Sequence, residues 1–307
     1  MAHPPRIEGL ITRYQSGFYA VRTAQGEALC HLRGRLKKQR AGSDLLAVGD
    51  RVEISLQPDG SGMIESIHAR ERALVRLAPT PRGDYRQVLL ANPDQIVLVF
   101  ACRQPDPHLR MLDRFLVICE KNHLPVVIVA NKTDLIAAEE ARELFSIYPP
   151  LGYRVIFASA QDGEGIEDLR EALRGKLSGL VGPSGVGKSS LLNAVQPDLG
   201  LAVSDVSDQT SKGRHTTVVR ELFPLREGGF VADLPGLRSL ALWDTEPEEL
   251  DGYFPELREL VRHCQFSDCT HQHEPGCAVL QAVEEGRVHP HRYQSYLRLR
   301  FGDELDD

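Results

Sequence analysis

The first seventy residues alternate apolar and polar positions with a period of two, and no helical period runs through them. Segments reading "RIEGLITRYQ", "FYAVRTAQ", "EALCHLRG", "DRVEISL" and "GMIESIHA" are separated by Ser-Gly, Gln-Gly and Pro-Asp-Gly turn signals. Five short strands in that length predict a small barrel of the OB type. From about residue 95 the pattern becomes one of continuous apolar runs, "QIVLVF", "PVVIVA", "RVIFASA" and "LSGLVG". Strands buried on both faces require such runs. Helical segments such as "LRMLDRFLVICEKN" and "GIEDLREALRGKL" lie between them, which predicts an α/β domain with a mainly parallel sheet. Beyond residue 246 the pattern is helical, in "EPEELDGYFPELRELVRHC" and "YQSYLRLR". The expected division is a barrel over 1–75, an α/β domain over 80–245 and a helical module over 246–307.

Composition adds little to this picture, and charge adds more. A 307-residue chain that is 42% hydrophobic and 26% charged has the make-up of a globular protein. No apolar run approaches the ~20 residues of a membrane span. The opening "MAHPPRIEGLITRYQSG" has no secretory pattern, so a cytoplasmic protein without a membrane partner is expected. The net charge is −7, yet residues 1–80 hold 12 Lys/Arg against 8 Asp/Glu, and the remainder 24 against 35. Arg33, Arg35, Lys37, Lys38 and Arg40 crowd an expected loop between the third and fourth strands. Their charge suits a nucleic-acid backbone, since it attracts phosphates without reading bases.

The α/β region carries the chemistry. Gly182-Pro183-Ser184-Gly185-Val186-Gly187-Lys188-Ser189, with Ser190 following, lies between a strand and a helix and fits the G-x-x-x-x-G-K-[ST] phosphate cradle. The glycines let main-chain N–H groups converge on phosphates. Lys188 supplies a cation to the β- and γ-phosphates, and the Ser189 hydroxyl is a Mg²⁺ ligand. Asn131-Lys132-Thr133-Asp134 ends an earlier strand, where α/β sheets bind ligands. The Asp134 carboxylate accepts from both guanine N1–H and its exocyclic amine, a pairing that adenine does not offer. Ser159 and Ala160 at the next strand end are placed for the guanine carbonyl. Asp233-Leu234-Pro235-Gly236 follows a further strand, with Asp233 assigned to Mg²⁺ through water and Gly236 to the γ-phosphate. Thr216 or Thr217 completes the Mg²⁺ shell; the sequence does not decide between them, and Thr217 is carried forward with Ser189. These are the parts of a GTPase with the base reader ahead of the cradle, a circular permutation that a parallel sheet with neighbouring termini tolerates.

Cys264-x₄-Cys269-x-His271-x₅-Cys277 offers three thiolates and an imidazole, a closed set of four that suits structural zinc. His263 and His273 lie nearby as alternatives to His271. The permuted order, the barrel and this cluster together resemble the bacterial ribosome small-subunit-dependent GTPase A (RsgA) family. That resemblance implies a factor in late 30S subunit assembly that contacts 16S rRNA, with GTP hydrolysis stimulated by the subunit. It also implies a first switch at Gly213, Arg214, His215, Thr216 and Thr217, and the cluster's spacing matches the family's zinc motif. Leu237 stands where Ras-type enzymes place a water-orienting Gln, and an apolar side chain cannot align water. His215 is the candidate catalytic group beside Lys188. A monomer is expected. A scaffold that binds nucleic acid and holds GTP without turning it over is the alternative from another class.

Overall fold

The alternating segments fold as β1 (Arg6–Gln15), β2 (Phe18–Thr23), β3 (Gly26–Leu32), β4 (Arg51–Leu56) and β5 (Gly62–Ile67). They close into a barrel in the order β1-β2-β3-β5-β4, with β3 and β5 parallel and the other pairs antiparallel. The inward positions Ile11, Val21, Cys30, Val52, Ile54 and Ile64 are fully buried and form the barrel core. The computed structural model describes residues 5–15, 17–37, 43–80, 83–202, 221–234 and 245–302.

Two elements depart from the sequence pattern. The basic stretch after β3 begins with a helical turn, α1 (Gly34–Lys37), rather than a loop. After the barrel comes an antiparallel ribbon, β6 (Ala73–Thr80) and β7 (Gly83–Ala91), which the pattern missed because arginines and Pro79 interrupt its apolar alternation. Asp44 fastens this ribbon to the barrel: Tyr85 Oη donates to Asp44 Oδ1 at 2.8 Å and the Val88 N–H to Oδ2 at 2.9 Å.

The central sheet contains β8 (Gln95–Ala101), β9 (Val126–Asn131), β10 (Arg154–Ala158), β11 (Leu177–Val181), β12 (Phe223–Pro224) and β13 (Phe230–Asp233). Their order is β10-β9-β8-β11-β13-β12, and only β12 runs antiparallel to its neighbour. Every residue of β8 is buried, as its continuous apolar run requires. Helices α2 (Leu109–Lys121), α3 (Ala138–Phe145), α4 (Ile166–Leu173) and α5 (Lys188–Val195) accompany the sheet. Two apolar clusters follow the side-chain alternation of its strands. One gathers Leu98 and Phe100 with Phe115 and Leu116, and the other Val97 and Val99 with Leu169 and Leu191.

The C-terminal segment is helical but broken. Pieces of 3₁₀ helix at Pro247–Tyr253 and Val261–His263 flank α6 (Pro255–Arg258), and α7 (Ala278–Glu284) and α8 (Pro290–Phe301) follow. Pro255 explains the break, since Phe254 before it is held extended. This segment meets α2 through a buried ionic node. Asp113, with no exposure, accepts from Arg292 Nη1 at 2.7 Å, Ser295 Oγ at 2.5 Å and Tyr148 Oη at 3.1 Å. Arg292, 1% exposed, also donates from Nε to Glu256 at 2.6 Å and lies over the Phe254 ring. Burial opposes the Asp113 charge, but His291, Arg292 and Ser295 outweigh it and hold the carboxyl below its ordinary value. Asp113→Ala leaves Arg292 buried with half its pairing lost, so urea unfolding is expected to show about 3–5 kcal/mol of destabilisation. A loss under 1 kcal/mol would mean the node carries little of the fold.

Candidate nucleotide site and metal centre

The C-terminal ends of β9, β8 and β11 converge on one edge of the sheet, and the sequence-predicted residues arrive there from both halves of the chain. Asn131, the last residue of β9 and 1% exposed, donates from Nδ2 to the Val186 carbonyl at 2.7 Å. That bond joins the stretch over residues 131–134 to the loop over residues 182–189. The loop from β11 into α5 is tight. A Cβ on Gly182 would lie 2.1 Å from the Val99 carbonyl oxygen, and one on Gly187 would lie 2.5 Å from Asn131 Nδ2. Gly187 also has φ +90°, in the left-handed region where side chains are strained. The cradle is therefore shaped by glycine at both ends.

Within it, Lys188 is buried and its Nζ donates to the carbonyls of Gly182 and Pro183, each at 3.0 Å. Burial lowers its pKa, with Asp233 opposing. An ammonium short of solvent gains from an incoming anion. Ser189 Oγ donates to Asp233 Oδ2 at 3.1 Å, while Asp233 Oδ1 is buried and has no hydrogen-bond partner among the described residues. A hydroxyl beside an unmatched carboxylate oxygen is a donor set that fits a hard divalent cation.

On the base side, Ser159 is fully buried and its Oγ donates to Asp134 Oδ1 at 2.7 Å while accepting the Asp162 N–H at 3.1 Å. Asp134 itself is exposed. Thr133 Oγ1 donates to Glu164 at 2.6 Å. Lys132 takes a left-handed backbone, φ 63°, and its Nζ donates to the Gln104 carbonyl. Ala160 and Ser190 are half-buried. Glu164 and Gln104, which hold Thr133 and Lys132 in place, carry no signal in the sequence because each acts from a separate loop. His215, Thr216, Thr217 and Gly236 lie outside the described residues, as do Lys38 and Arg40. Arg33 is exposed and pairs with Glu65, and Arg35 and Lys37 fall in α1.

Cys264, Cys269, His271 and Cys277 come together with their donor atoms all within 4.8 Å of one another. His271 Nδ1 lies 3.3 Å from Cys277 Sγ and 3.6 Å from Cys264 Sγ, and the two sulfurs are 3.9 Å apart. Edges of a tetrahedron around zinc, with Zn–S about 2.3 Å, are about 3.8 Å. The four residues could therefore hold a metal ion. Of the three neighbouring histidines the fold selects His271, which is 1% exposed; His263 and His273 are exposed. Its Nε2 lies 3.3 Å from Asp251 Oδ2, and Tyr293 Oη donates to its carbonyl at 2.6 Å. A carboxylate behind a ligating imidazole fixes the ring's tautomer and orientation.

Residues 67–243 match the family model of the RsgA GTPase, and residues 8–64 that of the RsgA N-terminal domain. The chain belongs to the RsgA GTPase family. It is a GTP-hydrolysing enzyme with a permuted order of motifs. A small ribosomal subunit biogenesis GTPase RsgA from Gemmatimonas aurantiaca is 49% identical over 300 residues, covering 97% of both chains. One from Moorella thermoacetica is 43% identical and covers 95% of both. The crystal structure of YjeQ from Thermotoga maritima superposes with a TM-score of 0.80 at 38% identity, covering 97% of this chain and 98% of that one. The crystal structure of YloQ, described as a circularly permuted GTPase, gives 0.75 at 34% identity, with coverage of 96% and 94%.

Gly187→Ala tests the joint between cradle and base reader. Left-handed strain of about 1–3 kcal/mol and a clash with Asn131 are expected to weaken GDP binding about tenfold or more by calorimetry. Unchanged affinity would show that the RsgA site does not need this close approach.

Proposed function

We propose that this GTPase acts in late maturation of the 30S ribosomal subunit, contacts 16S rRNA through its barrel and hydrolyses GTP faster when the subunit is present. The observation that supports the reading is the Asn131–Val186 hydrogen bond, which joins the N-K-x-D stretch to the G-x-x-x-x-G-K-S loop despite their reversed order. The relatives' shared name, small ribosomal subunit biogenesis GTPase, supports the choice of partner. On this reading Asn131, Lys132, Thr133, Asp134, Ser159 and Ala160 take the base, residues 182–190 take the phosphates, and Gly236 meets the γ-phosphate. Ser189 and Thr217 would ligate Mg²⁺, with Asp233 holding it through water, and the bound ion would neutralise charge developing on the phosphates. His215 orients water, and Lys188 stabilises the charge. The units are a barrel over 1–75 with Arg33, Arg35, Lys37, Lys38 and Arg40 facing RNA, a GTPase domain over 80–245 and a zinc module over 246–307. The enzyme works as a cytoplasmic monomer.

Steady-state GTP turnover with and without purified 30S subunits tests this reading. At least a tenfold stimulation is expected, and most of it is expected to vanish in His215→Ala. A rate indifferent to the subunit would overturn it. The metal has its own test. Elemental analysis should find one zinc per chain, and Cys269→Ser should lose the ion along with protease resistance after residue 246, because so short a segment takes much of its folding energy from the metal. A metal-free protein with an intact C-terminal segment would refute the assignment.

A further inference from the structure

Strand β1 does more than close the barrel. Its pairing with β2 slips between Ile11 and Arg13, leaving Thr12 out of register. A bulge of this kind re-aims the main chain away from the ladder. Here the Thr12 carbonyl turns outward and accepts the Leu222 N–H at 2.7 Å, and Arg13 faces Glu221 as an antiparallel bridge partner. Arg13 Nη1 lies 3.8 Å from Glu221 Oε1, and its Nη2 lies 4.0 Å from Glu27 Oε1.

The far side of that bridge leads straight to the nucleotide site. Leu222 is 3% exposed and belongs to the same apolar cluster as Leu234. Phe223 in β12 pairs with Val231 in β13, two residues before Asp233, and Asp233 accepts from Ser189. Barrel strand, edge strand and the Asp233 carboxylate are thus linked by consecutive main-chain pairings. In sequence, Glu221 follows Thr217 by four residues. A two-residue edge strand has little pairing of its own. Its position is therefore set jointly by β13 on one side and the barrel on the other.

We propose that the Thr12 bulge and the Arg13–Glu221 pair are positioning elements that transmit what the barrel binds to the geometry of Asp233, and so to the rate of GTP hydrolysis. The proposal rests on the reading that the barrel engages the ribosomal subunit. Neither residue belongs to the G-x-x-x-x-G-K-S, N-K-x-D or D-x-x-G stretches, so their effect should fall on stimulated turnover and spare basal chemistry.

The test compares wild type, Arg13→Glu, Glu221→Arg and the double exchange. For each, GDP affinity, basal kcat, kcat with saturating 30S subunits and co-sedimentation with subunits are measured. Both single variants are expected to keep GDP affinity, basal kcat and sedimentation within about twofold and to lose at least fivefold of the stimulated kcat. The double exchange, which restores opposite charges across the bridge, is expected to recover at least half of it. Single variants stimulated like wild type, or a double exchange no better than either single, overturn the proposal while the functional reading stands. Basal kcat falling as far as the stimulated rate also overturns it, since that marks a merely structural role. A wild-type enzyme that subunits do not stimulate overturns the functional reading, and this proposal with it.

Discussion

The Asn131 amide makes the permuted order workable. Its bond to the Val186 carbonyl crosses from the end of β9 to the loop that opens α5, fifty-five residues later in the chain. Both groups are buried, so removing the amide would leave the carbonyl unpaired at a cost of about 1–3 kcal/mol. What the bond requires is a sheet that brings the carboxyl ends of β9, β8 and β11 side by side. The fully buried β8 between the other two supplies that spacing. Chain order does not enter into it. The pocket depends on spatial neighbours, and spatial neighbours are what burial and ladder pairing fix.

The parts of the fold that sequence revealed are those where one physical rule acts alone. A strand buried on both faces must be apolar throughout, and "IVLVF" and "VVIVA" declare it. A phosphate cradle must have glycine where a Cβ would strike Val99 or Asn131, and Gly182 and Gly187 stand there. The parts that stayed hidden depend on partners far apart. Asp113 reads as one polar residue in an amphipathic helix, and its partners Tyr148 and Arg292 lie 35 and 179 positions away. The metal cluster's cysteines were legible from spacing, but the choice of His271 over two neighbours needed the fold, which buries that ring against Asp251. The β6–β7 ribbon stayed hidden for a further reason: Asp44 and the barrel loop hold it, and its own alternation is too weak to announce it.

Charges in the C-terminal segment show what joins it to the rest. An interface of apolar side chains tolerates sliding, because burial has no direction. Arg292 removes that freedom. Its guanidinium is divided between Asp113 on α2 and Glu256 on α6, so α8 has one register in which both carboxylates are met. Such a node adds little net stability over an apolar replacement, since two charges must be desolvated to form it. Its contribution is to orientation, and orientation is what a module packed against a catalytic domain needs.

Both outer modules are fastened to elements that lead to the nucleotide. Helix α2, gripped by Arg292, follows the loop after β8 in which the Gln104 carbonyl holds Lys132. The barrel grips the edge strand beside β13, whose last residue is Asp233. In an unpermuted order of the same parts, the strand bearing Asp233 would be followed by further strands of the sheet. Here it is the sheet's last strand in sequence among the described residues, and the chain passes from it to the segment that carries the Cys/His cluster. Permutation thus keeps the carboxyl ends of β9, β8 and β11 side by side and changes which piece of the chain leaves that edge of the sheet. The reversed order therefore changes which segment of the chain follows the strand that bears Asp233, and in this chain it is the segment that carries Cys264, Cys269, His271 and Cys277.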